Sequence, residues 1–113
     1  MDKNIFLWLV IIGIIIGMGF SVFGETKAES KETVYIIPIN GEITPAMATF
    51  FVKSLQEAEN LGADAILVEL STFGGRVDAA LNMKQAIEQS KIPIVVYISD
   101  RAISAGSLIA ITA

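Results

Sequence analysis

Apolar and polar positions divide this chain into three stretches: an uninterrupted apolar block, a short charged block, and a long region where apolar runs recur at strand and helix spacing. Ile5 to Phe23 holds nineteen residues without a charge, close to the length that spans a bilayer. It predicts one N-terminal transmembrane or signal helix within residues 1–24. Residues 25–33 mix acidic and basic side chains without apolar periodicity and read as a polar linker. The composition changes abruptly at Val34, where a folded domain covering 34–113 is expected to begin.

Within that domain, Val34 to Ile39 reads as a strand, with Pro38 near its end or at a sheet edge. Asn40-Gly41 marks a turn. Thr44 before Pro45 is an N-cap with proline at the first helical position, and Met47, Phe51, Leu55 and Ala58 follow at helical spacing until Gly62. Ala65 to Leu70 is a nearly continuous apolar run of strand length, the pattern of a parallel strand covered by helices on both faces. A second helix is predicted from Val77 to Gln89, with Val77, Ala80, Leu81, Met83 and Ile87 on its apolar side. Ile92 to Ile98 is a third strand, and Ser104 opens a third apolar helical stretch. The order βαβαβα predicts an α/β fold with a mostly parallel sheet.

The flanks of the apolar block set its orientation. Lys3 and the amino terminus stand against Asp2 on one side, and the segment Glu25 to Glu32 carries a slight acidic excess on the other. This favours a cytoplasmic N-terminus and an extracytoplasmic C-terminal domain, a single-pass arrangement in the cell membrane. Retained anchor and cleaved signal both fit, with Val22-Phe23-Gly24 and Thr26-Lys27-Ala28 only passable cleavage sites. Both export the rest of the chain.

Composition narrows the chemistry. The net charge of −4 disfavours nucleic acid as a partner. There is no Cys and no His, which removes disulfides, the Ser-His-Asp arrangement and most transition-metal sites together. No metal or cofactor is expected.

In parallel α/β sheets, ligands and catalytic groups gather beyond the carboxyl ends of the strands. Two features fall there: Gly74-Gly75 after the second strand, and Ser104-Ala105-Gly106-Ser107 after the third. Glycines let backbone N–H groups approach a substrate, and a serine hydroxyl can attack a carbonyl, so together they offer the two halves of an acyl-transfer site. Each also has a plain structural explanation. A strand-Gly-Gly-helix step is commonly a tight turn, and a serine before an apolar helix is commonly an N-cap.

Taken together, Asn40-Gly41, Glu69 through Thr72-Phe73-Gly74-Gly75-Arg76, Ser90 to Tyr97 and Ser104-Ala105-Gly106 give Val34 to Ala113 a specific likeness. The region resembles the N-terminal protease region of the NfeD-type membrane serine proteases, of the Clp protease and crotonase superfamily. The resemblance implies a membrane-anchored serine endopeptidase of the Ser-Lys dyad type. Such an enzyme acts on hydrophobic segments of membrane-associated proteins such as stomatin-like proteins, and the intact protein is expected to be a homo-oligomer. On the matching positions Ser104 is the nucleophile, and backbone N–H groups of Gly74, Gly75 and Ala105 form the oxyanion hole.

Two departures accompany the likeness. The family usually reads Asp-Thr-Pro-Gly-Gly where this chain has Ser71-Thr72-Phe73-Gly74-Gly75. The family's catalytic lysine lies downstream of the serine helix, and none of the six lysines here occupies its place. Lys84, at the margin of a helix's apolar face, is better explained as a lysine laying its methylenes along the core. The chain therefore reads as an N-terminal portion of a longer membrane protease, with an incomplete Clp-like domain and little peptidase activity alone. The alternative is a catalytically silent, membrane-tethered interaction or assembly module.

Overall fold

The computed structural model describes residues 2–18, 24 and 27–113 and divides them into two units, one ending at Ser30 and one running from Lys31 to Ala113. The first unit contains helix α1, Lys3–Met18. Its 16 residues rise about 24 Å at 1.5 Å per residue, short of a hydrocarbon core of about 30 Å. Accordingly, no helix among the described residues is long and apolar enough to cross a membrane. Residues 19–23, the end of the predicted span, lie outside the described residues.

The second unit is a three-stranded parallel sheet in the order β1-β2-β3, with helices in the crossovers. Strand β1 is Val34–Asn40, α2 Pro45–Asn60, β2 Ala65–Thr72, α3 Val77–Gln89, β3 Ile94–Ala102 and α4 Ala105–Ala110. Helix α2 starts as its sequence dictates: Thr44 Oγ1 accepts the Met47 N–H at 3.1 Å, and Pro45 supplies the first helical φ. Its buried stripe of Ala48, Phe51, Leu55 and Ala58 meets Ile37, Ile39, Ile66, Val68 and Leu70 of the sheet, with Ala79, Ala80, Met83 and Ile87 of α3 in the same core.

Three expectations are corrected. The helices do not cover both faces of the sheet: burial alternates strictly along β2, and Ile36, Val95 and Tyr97, which lie off the core, are exposed. The apolar run Ala65 to Val68, continued by Leu70, shows only that both faces tolerate burial. Along α3, Val77 and Leu81 are exposed and Ala79 is buried, because the helix faces the core along Ala79, Met83 and Ile87, one i, i+4 row. Strand β3 starts at Ile94, two residues later than predicted, and continues through polar Ser99-Asp100-Arg101 to Ala102. Ser90 Oγ closes a local turn on the N–H and C=O of Ile92, at 3.2 and 3.0 Å. At the far end the register shifts between the Leu70–Ile98 and Thr72–Ala102 pairs, so polar Ser99, Asp100 and Arg101 bulge from the ladder before Ala102 rejoins it.

Candidate active site

The carboxyl ends of β2 and β3 are paired at Thr72 and Ala102, and the Ile103 N–H extends the ladder to Thr72 O at 3.1 Å. The loops that leave these two strands therefore start side by side. A methyl group on Gly74 would stand 2.9 Å from Ser104 Cβ, 3.0 Å from Ile103 O and 3.4 Å from Ala105 N. The diglycine and the serine, thirty residues apart in sequence, are in van der Waals contact. Gly74 has a φ of +110°, a conformation side chains avoid.

Gly75 is fixed from the opposite side. Ile43 donates its N–H to Gly74 O at 2.9 Å and accepts from Arg76 N–H at 2.8 Å, forming an isolated parallel bridge with Gly75. A Cβ on Gly75 would lie 2.7 Å from Ile43 N, closer than such atoms approach. Ile43, fully buried, is a positioning residue that the sequence reading passed over. Its signal was present: an apolar residue just before an N-cap threonine fits a hydrophobic staple.

Thr72, also buried, was quoted in the sequence pattern without a role. Its Oγ1 accepts the Gly74 N–H at 2.9 Å and lies 3.3 Å from Gly74 O, while its methyl group lies against the α-carbon of Gly106 in α4. One side chain thus holds the glycine loop and seats the serine helix. The Gly74 N–H is engaged in this contact. By contrast, the N–H groups of Gly75 and Ala105 have no hydrogen-bond acceptor among the described residues.

Ser104 occupies the N-cap position of α4, yet its side chain makes no capping hydrogen bond. Its backbone has φ 55° and ψ −121°, and it alone among the described non-glycine residues has a positive φ. Such conformations cost about 1–3 kcal/mol and persist only where neighbours enforce them. Here the enforcing contacts are the Gly106 N–H on Ile103 O at 3.0 Å and the Ser107 N–H and Oγ on Ser104 O at 2.9 and 2.6 Å. The hydroxyl is exposed at the junction of the two loops. Lys84 is elsewhere engaged, paired with Glu88 one turn along α3. Arg76 and Asp78, at the start of α3, form a bidentate pair at 3.0 and 2.7 Å; the Arg76 hydrogen bond holds the Asp78 carboxyl below its ordinary value.

Known proteins share the fold of the second unit and part of its sequence. The membrane protein NfeD1b of Bacillus subtilis is 42% identical over 89 residues, which is 79% of this chain and 20% of that protein. The membrane-bound protease PH1510 of Pyrococcus horikoshii is 39% identical over 101 residues, 87% of this chain and 23% of its own length. This chain thus spans less than a quarter of the curated relatives it matches. Among solved structures, the 1510-N membrane protease specific for a stomatin homolog, from Pyrococcus horikoshii, superposes with a TM-score of 0.67 at 42% identity, covering 74% of this chain and 43% of that one. A lysine-to-alanine variant of 1510-N in complex with a substrate peptide gives 0.67 at 41% identity, over 74% and 39% of the two chains. ClpP1 from Listeria monocytogenes also gives 0.67, at 28% identity over 69% and 46%. The sequence model of the family described as NfeD1b, N-terminal domain, matches residues 33–113, and the chain belongs to that family.

Proposed function

We propose that this chain is the N-terminal part of a membrane-anchored serine endopeptidase, with Ser104 as nucleophile and the Gly75 and Ala105 N–H groups as oxyanion donors. Ser104 Oγ would bond to the substrate carbonyl carbon, the carbonyl oxygen would take the charge, and the hydroxyl proton would pass to a lysine amine supplied from outside these residues. Gly74 joins the hole through its backbone conformation, its own N–H being held by Thr72 Oγ1. The observation that carries this proposal is Ser104 itself, strained, uncapped and pressed against the diglycine loop.

Likeness to the 1510-N protease specific for a stomatin homolog supports stomatin-like membrane proteins as the substrates; the choice of their hydrophobic segments is carried over from the family resemblance alone. Residues 1–24 would serve as anchor or export signal, with the domain from Val34 outside the cytoplasm. Because the chain has no cysteine, a single Ser30→Cys probe with a membrane-impermeant maleimide tests that side directly; labelling only after the membrane is opened would refute it.

The catalytic test is fluorophosphonate labelling in membranes of the product that carries this chain. Labelling that disappears in Ser104→Ala is expected; cleavage of a stomatin-type peptide that survives Ser104→Ala would refute the assignment. The 113-residue chain alone is expected to label negligibly. Engagement of Lys84 by Glu88 favours the second reading for the chain by itself, a silent tethered assembly module. A phenotype lost on deleting the domain and unchanged in Ser104→Ala would select it.

A further inference from the structure

The Arg101 guanidinium carbon lies 4.3 Å from the centroid of the Phe73 ring. Phe73 is the first residue beyond β2 and precedes Gly74; Arg101 lies in β3, in the register shift just before Ala102 and three residues before Ser104. The contact therefore ties the root of the Gly74-Gly75 loop to the end of β3, next to the paired Thr72 and Ala102. Phe73 is 70% exposed and has no place in the core, so burial does not explain where its ring sits. Arg101 is steadied in turn by Asp100, whose Oδ2 accepts its Nε–H at 2.6 Å. A delocalised, weakly hydrated guanidinium stacks well on an aromatic face.

We infer that the Phe73–Arg101 stack is a clamp, a pair of positioning residues that holds the Gly74-Gly75 loop at its distance from Ser104. Neither residue touches the reacting atoms. The clamp stands on the geometry of this loop and the end of β3, and its consequence for catalysis rests on Ser104 being the nucleophile. Loosening it would let the loop swing away from Ser104 while the sheet beneath stays paired.

The test is amide hydrogen exchange by NMR on the full chain in detergent micelles, read at two hydrogen-bonded reporters of the junction, Gly74 N–H on Thr72 Oγ1 and Ile103 N–H on Thr72 O. The mid-strand amide of Val68, in the central strand, serves as the reference for the whole domain. Phe73→Leu and Arg101→Gln should each speed exchange at the two reporters by about two- to fivefold, the worth of an exposed cation–π pair, with Val68 unchanged. The double variant should exchange no faster than either single one, and Phe73→Trp should keep the protection of the parent. Unchanged reporters in both single variants, or effects that multiply in the double variant, overturn the clamp. Fluorophosphonate labelling of the membrane product separates the two proposals. Reporters that respond while Ser104 never labels would sink the nucleophile and leave the clamp standing; Ser104 labelling over flat reporters would do the reverse.

Discussion

Gly106→Ala should destabilise the domain, although alanine is the better helix former. A Cβ at position 106 would overlap the Thr72 methyl group, with Thr72 Cβ next at 3.7 Å and Ala102 Cβ at 3.8 Å. Thr72 is 1% exposed and β-branched, so its χ1 has few alternatives. Either α4 moves off β2, an overpacking cost of about 1–3 kcal/mol, or Thr72 rotates. Rotation takes Oγ1 from the Gly74 N–H, leaving a buried donor unmet at about 1–3 kcal/mol. The helical gain of alanine over glycine offsets at most about 1 kcal/mol. Less the full helical gain, the cost leaves a net loss of up to about 2 kcal/mol.

The same geometry predicts a specific suppressor. Thr72→Ser removes the obstructing methyl and keeps the hydroxyl, at a cost of about 1 kcal/mol for the lost buried carbon. In that background the nearest remaining atoms stand at ordinary contact distance, so Gly106→Ala should become neutral or stabilising by up to about 1 kcal/mol. Pulse proteolysis across a urea series, applied to the four members of the cycle, measures the coupling. An effect of Gly106→Ala that is the same with threonine or serine at position 72 would refute the steric argument.

Ser104→Gly should raise stability by about 1 kcal/mol, since glycine accepts φ 55° and the relief of about 1–3 kcal/mol exceeds its added chain entropy; a loss in the same proteolysis assay would show that the serine is not strained. Gly75→Ala should cost about 3 kcal/mol or more, because the new methyl would meet Ile43 backbone atoms that are themselves bonded to the loop; a cost below about 1 kcal/mol would mean the loop can open without penalty. The Asp78 carboxyl should titrate by NMR below its ordinary value and move up toward it in Arg76→Ala. Its folded value is the depressed one, so any stability it contributes is present above the unfolded value and is lost as pH falls through the folded one.

Much of the fold was legible because its elements are locally specified. Thr44-Pro45 fixes the start of α2, and Val77 and Gln89 bound α3 where the periodicity placed them. What was not legible depended on partners distant in sequence. The polar end of β3 is a strand because Thr72 pairs with Ala102, and no local pattern in Ser99-Asp100-Arg101 says so. The same holds for the exposed face of the sheet: apolar residues at Ile36, Leu67 and Val95 share one register row, and periodicity cannot tell a row that is covered from one that is not. At the candidate site, the residue types were readable and their holders were not. Ile43, Thr72 and Arg101 act through backbone bonds, a methyl contact and a ring stack, and of the three only Ile43, at the staple position before Thr44, leaves a local trace in the sequence.

The chain carries its own control for the plainest account of Ser104. Thr44 and Ser104 both stand one residue before a helix. Thr44 does what a cap does: its backbone is extended at φ −117° and ψ 163°, and its hydroxyl accepts the N–H three residues on at 3.1 Å. Ser104 has neither feature, although a serine in extended backbone would satisfy the first turn of α4 at no conformational cost. Its backbone instead sits at φ 55° and ψ −121° with no capping bond from the hydroxyl, and the neighbouring turn is closed without it, by Ser107 N–H and Oγ on the Ser104 carbonyl. The helix start is therefore built so that this one hydroxyl is left over. Local strain that leaves a nucleophile-type oxygen uncapped, in a loop pair whose Gly75 and Ala105 N–H groups have no acceptor among the described residues, is what acyl transfer requires and what capping does not.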